Sequence, residues 1–190
     1  MAYGSDYSIY DKKNTIELFN LKLASNFRFK ENNDLPKNNQ IGQKTSNFFT
    51  EITYNPNNTL TTSYKSSIKN NLNDINSESF STSLSVNNFV TTFNYLNENN
   101  TDSKNSYLQN DTTYNFDDTN SLKFSTRRNK KTDLTEYYNL MYQYKNDCLA
   151  ASIEYKKDFY SDRELKPDES ILFKLTITPF AEISSPDIKQ

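Results

Sequence analysis

Residues 78–96 read ESFSTSLSVNNFVTTFNYL, and the alternation inside this stretch decides the class of fold. Phe80, Leu84 and Val86 occupy one parity; Ser79, Ser81, Ser83 and Ser85 occupy the other. Side chains alternate faces along a strand, so the segment has one apolar face and one small polar face. After Asn87 and Asn88 the phase resets, and Phe89, Thr91, Phe93 and Tyr95 share a face. The same two-sided pattern recurs along the whole chain with almost no helical periodicity. It describes either a soluble all-β protein or a membrane barrel.

Working outward, the pattern predicts ten strands, at 15–30, 45–54, 59–69, 78–86, 89–97, 106–116, 121–129, 134–144, 148–160 and 170–180. These are long against the roughly 5–6 residues typical of soluble strands, and match the roughly 9–11 that a tilted membrane strand needs. The connections at 55–58, 87–88, 117–120 and 145–147 are tight and rich in Asn and Asp, which favour turns. Between them lie longer polar connections at 31–44, 70–77, 98–105, 130–133 and 161–169, so that short and long alternate. Short turns at one rim and longer loops at the other are the pattern of bacterial outer-membrane barrels. The expected fold is therefore all-β, an antiparallel transmembrane β-barrel of about ten strands.

The strand faces agree. Phe19, Leu21, Leu23, Phe27 and Phe29 oppose Asn20, Lys22, Asn26 and Arg28. Leu60, Tyr64 and Ile68 oppose Ser63, Lys65, Ser67 and Lys69. Leu149, Ala151, Ile153, Tyr155 and Phe159 oppose Ser152, Glu154, Lys156 and Asp158. In a barrel the first set meets lipid and the second lines the lumen. Tyr54, Tyr95, Phe116, Tyr144 and Phe159, near strand ends, would then sit in interfacial girdles. In a soluble sandwich the same apolar parity would fill a dry core.

Composition narrows the function. The chain has 190 residues, 14 Tyr, 13 Phe and a formal net charge of −2. So many aromatics and so little net charge are unlike a disordered chain. Histidine is absent and there is one cysteine, which removes Ser-His-Asp hydrolysis, imidazole-ligated metals and thiolate zinc clusters. With no glycine-rich phosphate loop either, no enzyme, cofactor or metal site is expected. No basic excess points to nucleic acid, and no apolar run is long enough for a transmembrane helix. The abundant Asn, and the excess of Lys over Arg, read as compositional drift of an AT-rich genome. The amino terminus shows no signal segment, which suggests the C-terminal arc of a larger barrel. On that reading residues 1–14 are an upstream barrel segment or linker, 15–180 the barrel region and 181–190 a polar tail.

Cys148 opens the ninth predicted strand. In an oxidising compartment an unpaired cysteine suggests a partner elsewhere; a small residue packed at a strand end is the equal alternative. Arg127, Arg128, Lys130 and Lys131 form a basic cluster at a predicted external loop. Lipopolysaccharide phosphates would suit such groups, although a solvated loop is the commoner role for a short charge run.

The segment 137–148, YYNLMYQYKNDC, followed by 153–160, IEYKKDFY, and by a final strand at 170–180, SILFKLTITPF, resembles the C-terminal end of the LPS-assembly outer-membrane protein LptD family. Upstream, 35–48, LPKNNQIGQKTSNF, is similar to that family's Pro-to-Gly loop entering a strand, and Tyr54, Asn55 and Pro56 to its strand-ending turn. The resemblance implies a large barrel that receives lipopolysaccharide from a periplasmic bridge (LptA-like), surrounds a plug lipoprotein (LptE-like) and releases its cargo laterally into outer-membrane lipid. It implies placement in the outer membrane of a Gram-negative bacterium. It also implies a disulfide from Cys148 to an N-terminal domain, and gate positions Ile171, Phe173, Leu175 and Ile177 on the last strand. Leu149 follows Cys148 where the family often has a second cysteine or a tryptophan. A general porin and a secreted β-rich adhesin are the alternatives.

Overall fold

The computed structural model describes residues 1–13, 15–35, 37, 39–99, 104–159, 167–177, 181–184 and 188–189. Among these it is all-β, with eleven long strands and two short ones. They are β1 (Ala2–Tyr10), β2 (Glu17–Asn26), β3 (Phe48–Asn57), β4 (Leu60–Ile68), β5 (Ile75–Val86), β6 (Phe89–Glu98), β7 (Ser106–Asn115), β8 (Asn120–Asn129), β9 (Leu134–Lys145), β10 (Leu149–Asp158), β11 (Asp168–Ile177), β12 (Ala181–Ser184) and β13 (Ile188–Lys189). Each of β1–β11 neighbours the next in chain order, and β12 and β13 both pair with β11. The long strands have 9 to 12 residues, so the length expected from the sequence is present.

Several expectations are corrected. The predicted strand at 15–30 is observed over Glu17–Asn26 only; beyond it Phe27 makes an isolated antiparallel bridge to Thr45, and Arg28 donates its backbone N–H to Lys44 O at 2.8 Å. Phe29, beyond the strand end, stands 89% exposed and meets Phe27 edge to face at 5.4 Å. The segment 1–14, left open as an upstream barrel segment or linker, contains an eleventh long strand, β1. Gly4 lets it approach β2: a Cβ there would meet Leu23 O at 2.4 Å. The segment read as a polar tail supplies β12 and β13. Loop sorting is less strict than expected, since 116–119 and 130–133 are equally long and the connection 11–16 is as long as 69–74. Residues 36, 38, 160–166 and 178–180, which belong to the expected loops and strand ends, lie outside the described residues.

The short turns are built by side chains. Asn57 Oδ1 accepts the N–H groups of Thr59 and Leu60, both at 2.9 Å. Asn146 Oδ1 accepts those of Cys148 at 3.0 Å and Leu149 at 2.8 Å. Such Asx turns mimic a backbone turn and start the next strand at a defined residue. Asn87 adopts φ 49°, the left-handed conformation that a two-residue hairpin loop requires and that Asn tolerates. Much of the Asn that looked like genomic drift therefore has a structural task.

By its contacts the chain divides into two units, Met1–Ser83 with Asn94–Ser106, and Leu84–Phe93 with Tyr107–Gln190. In the first, antiparallel register places Tyr7, Leu21, Ile52 and Tyr64 in one cross-strand row. The row beside it on the other face is Asp6, Lys22, Glu51 and Lys65. In the second unit Tyr114, Leu122, Tyr142, Ile153 and Phe173 form an apolar row, and Thr112, Phe124, Leu140, Tyr155 and Ile171 the next. Its other face carries Asp111, Ser125, Asn139, Lys156 and Ser170. Met141 and Leu172 are exceptions on that polar face.

Candidate functional site

Burial runs against polarity residue by residue without separating the two faces, since the buried Ser25, Ser66 and Thr91 lie on the apolar parity. Among the described residues no apolar side chain is buried, whereas Asn20, Ser25, Ser46, Asn47, Ser66, Ser67, Asn76, Thr91 and Ser106 are. Exposed apolar residues include Tyr7, Leu23, Phe80, Leu84, Phe89, Phe93, Leu140, Tyr142, Ile153 and Phe173. Soluble monomers rarely expose contiguous apolar area beyond a few hundred Å², and these rows run unbroken across several strands. Among the described residues, no second layer buries them within either unit. Polar residues on the apolar parity bond to one another: Thr91 Oγ1 lies 2.7 Å from Thr112 Oγ1 and accepts from Asn110 Nδ2 at 3.0 Å. Thr62 and Thr82 are joined likewise at 3.1 Å. Such pairing satisfies groups that water would not reach in hydrocarbon.

The polar face of the first unit holds a cleft of about 470 Å³. Lys22, Glu51 and Lys65 cross its floor on adjacent strands, and Ser77, Ser79 and Glu98 line the other side. Directly opposed residues share a face, so register alone puts opposite charges together. Lys65 Nζ stands 2.9 Å from Glu51 Oε1 in an ion pair that water still reaches, of the kind worth roughly 0.2–1 kcal/mol. Asn39, from the long connection between β2 and β3, reaches the cleft from above. Glu51 is bracketed by Lys22 and Lys65 on the adjacent strands, and Glu78 and Glu98 also line the cleft.

In the second unit Arg127 lies on the polar face with its guanidinium 5.5 Å from the ring centroid of Tyr107 and 5.4 Å from that of Tyr137. It is ion-paired with Glu136. Glu136 reaches it because a bulge sets Arg127 opposite Tyr137 but Arg128 opposite Thr135, leaving the intervening residue unpaired. No periodicity rule finds that extra residue.

The candidates from the sequence are placed as follows. Arg127 and Arg128 project from opposite faces, and Arg128 Nη2 bonds Asp133 Oδ1 at 2.7 Å. Lys130 and Lys131 are exposed in the turn that follows. The four do not converge on one point. Cys148 is an exposed free thiol in the turn before β10, one residue short of the strand it was expected to open. Ile171, Phe173, Leu175 and Ile177 share one face of β11, opposite Tyr155, Ile153, Ala151 and Leu149. The outer edge of β11 is paired at Lys174–Ile177 by β12 and at Ser170–Ile171 by β13.

One turn in each unit carries a clear electrostatic signature. Asp117 accepts from Thr119 Oγ1 and N, both at 2.7 Å, and from the Asn120 amides. The hydroxyl of Thr119 leads in holding its carboxyl down to about 2. Asp11 is lowered in the same way, chiefly by the backbone N–H of Thr15.

Among the described residues no group of three or more metal-ligating side chains is brought together. No protein-family model matches the sequence, and no curated protein matches it as a relative.

Proposed function

We propose that this chain forms part of the wall of an outer-membrane β-barrel, and that the barrel belongs to the machinery that assembles lipopolysaccharide into the outer leaflet. The membrane reading is carried by one observation: apolar side chains stand exposed while the buried ones are polar. Lipid is the solvent that suits such a surface, at about 25 cal/mol for each Å² of apolar area removed from water. Strands of 9 to 12 residues fit the crossing, and the outer edge of β1, at one end of the strand order, would be paired by other strands of a larger barrel, as a membrane demands.

The cargo reading rests on the likeness around Cys148. The polar face would guide the sugar and phosphate part through hydroxyls and alternating charges such as Lys22, Glu51 and Lys65. The apolar face would stay in lipid, and the driving energy would come from a periplasmic bridge. A plug lipoprotein would occupy the lumen. Arg127 enters this mechanism as a wall-stiffening residue, since Glu136 already neutralises it.

Two tests separate the readings. Heat-modifiable migration in detergent supports the barrel, and a folded monomer stable without detergent sinks it. A photoreactive amino acid at Ser125 on the polar face captures lipopolysaccharide if the cargo is right. Capture of nothing, together with a free Cys148 thiol in mature oxidised protein, leaves a general diffusion channel.

A further inference from the structure

The bulge that brings Glu136 to Arg127 also shapes a recess on the polar face of the second unit, where the 130–133 turn joins β8 to β9. Its volume is about 460 Å³, inside the roughly 300–1,000 Å³ of small-molecule sites. Arg127, Glu136, Tyr137 and Asp158 line it, and Leu134 supplies an apolar wall. Register puts three of them on one face, since Arg127 opposes Tyr137 and Tyr137 opposes Asp158.

The recess is braced from within. Asn129 Oδ1 accepts the N–H groups of Lys131 at 2.9 Å and Thr132 at 3.2 Å, while its Nδ2 donates to Glu136 Oε1 at 3.1 Å. Glu136 O accepts the N–H of Phe159 at 2.8 Å, which ties the bulge to the end of β10. Arg127 donates through Nε to Glu136 and lies against the rings of Tyr107 and Tyr137. Among the described residues no hydrogen-bond acceptor meets its two Nη groups, so a positioned fork of donors remains.

Charge decides what suits this fork. Arg127 is offset by Glu136, and Asp158 Oδ2 is paired with Lys156 Nζ at 2.9 Å. An entering anion meets two carboxylates, and an entering cation meets the guanidinium. A neutral polyol meets neither penalty. Each hydroxyl both accepts and donates, so neighbouring hydroxyls accept from Arg127 Nη and donate to Asp158. The C–H face of a sugar ring suits Leu134.

We propose that this recess binds a neutral saccharide, with Arg127 as donor and Asp158 as acceptor. Neutralised by Glu136, Arg127 acts here through its hydrogen bonds rather than its charge. The inference deepens the reading of the polar face as a path for a sugar-bearing cargo, on which it rests, by giving that path one discrete holding point.

Saturation-transfer NMR on the full chain tests it, with the methyl pyranosides of glucose, galactose, mannose and N-acetylglucosamine as probes. At least one is expected to bind; transfer to none of them, or displacement by an equal concentration of inorganic phosphate, overturns the proposal. Asp158→Ala is expected to weaken the bound pyranoside roughly tenfold, as loss of a hydrogen bond to a charged group does. Ser121→Ala, on the same face at the far end of β8, leaves binding unchanged. Equal affinity in the two variants overturns the site. Should Asp158→Ala not fold, hydrogen exchange in the unaltered protein decides: saturating pyranoside slows the amides of 132–137 and not those of 121–125, and an equal response overturns the proposal. A heat-modifiable barrel that binds no pyranoside loses the site and keeps the barrel. A water-soluble monomer that binds one keeps the site and loses the barrel.

Discussion

Asn47 is buried completely and donates to Ser67 Oγ at 2.8 Å, while its own Oδ1 has no partner. A buried amide with one unmet acceptor is costly unless the surroundings hold it, and here the β3–β4 ladder does so by setting Phe49 opposite Ser67. Asn47→Ala removes the bond and strands Ser67, so unfolding is expected to become easier by about 1–2 kcal/mol. Urea titration of the heat-modifiable form measures it. A change smaller than the scatter between replicates would mean that the pair carries no stability.

The faces proposed to meet lipid and lumen are tested by one substitution each. Leu140→Arg places a charge among Phe124, Tyr155 and Tyr142, at a cost of about 2–4 kcal/mol near a bilayer midplane. Ser125→Arg places the same charge opposite Asp111 on the polar face. Insertion of the first into liposomes is expected to fail and of the second to proceed. Equal insertion of both would contradict the membrane assignment of the faces.

Arg127 and Arg128 are adjacent but differ in surroundings. Arg127→Lys forfeits planar stacking on Tyr107 and Tyr137, a loss of about 1 kcal/mol. Arg128→Lys retains an exposed pair with Asp133 and changes stability by less than about 0.5 kcal/mol. Denaturant midpoints of the two variants, compared side by side, check the order.

The pH dependence of the 116–119 turn follows from Asp117. Its carboxyl is lowered from an ordinary 3.8 to about 2, so the folded turn favours the charged form. Its contribution to stability is complete above the ordinary value and disappears as pH falls through about 2. Amide exchange of Thr119 and Asn120 should therefore stay slow at pH 4 and accelerate near pH 2. Asp117→Asn, which keeps an acceptor that does not titrate, should show no such step. Acceleration centred near pH 4 in the unaltered protein would contradict the assignment.

Most strand positions were legible because the period-2 pattern is strong: Phe80 to Tyr95 needed nothing beyond alternation. What escaped was local and irregular. Glu136 belongs to a bulge, and a bulge adds one residue without altering the apolar pattern on either side. Asn39, Asn70 and Asn76 could not be singled out from the many asparagines, since their hydrogen bonds join segments that meet only in space. β1 was missed because its Gly, Ser and Asp dilute a pattern that Tyr3, Tyr7 and Ile9 still carry. Of the basic cluster, alternation sends Arg127 and Arg128 to opposite faces, which nearness in sequence does not reveal.

Every long strand neighbours the strands before and after it in the chain, and the short turns carry their own register marks in Asn57, Asp117 and Asn146. Each hairpin thus holds the instructions for its own closure, with no search for a distant partner. Such a sheet can be laid down in sequence, one hairpin at a time, each edge serving as the template for the next. A polypeptide made this way can lengthen or shorten in evolution by whole hairpins without re-specifying the rest.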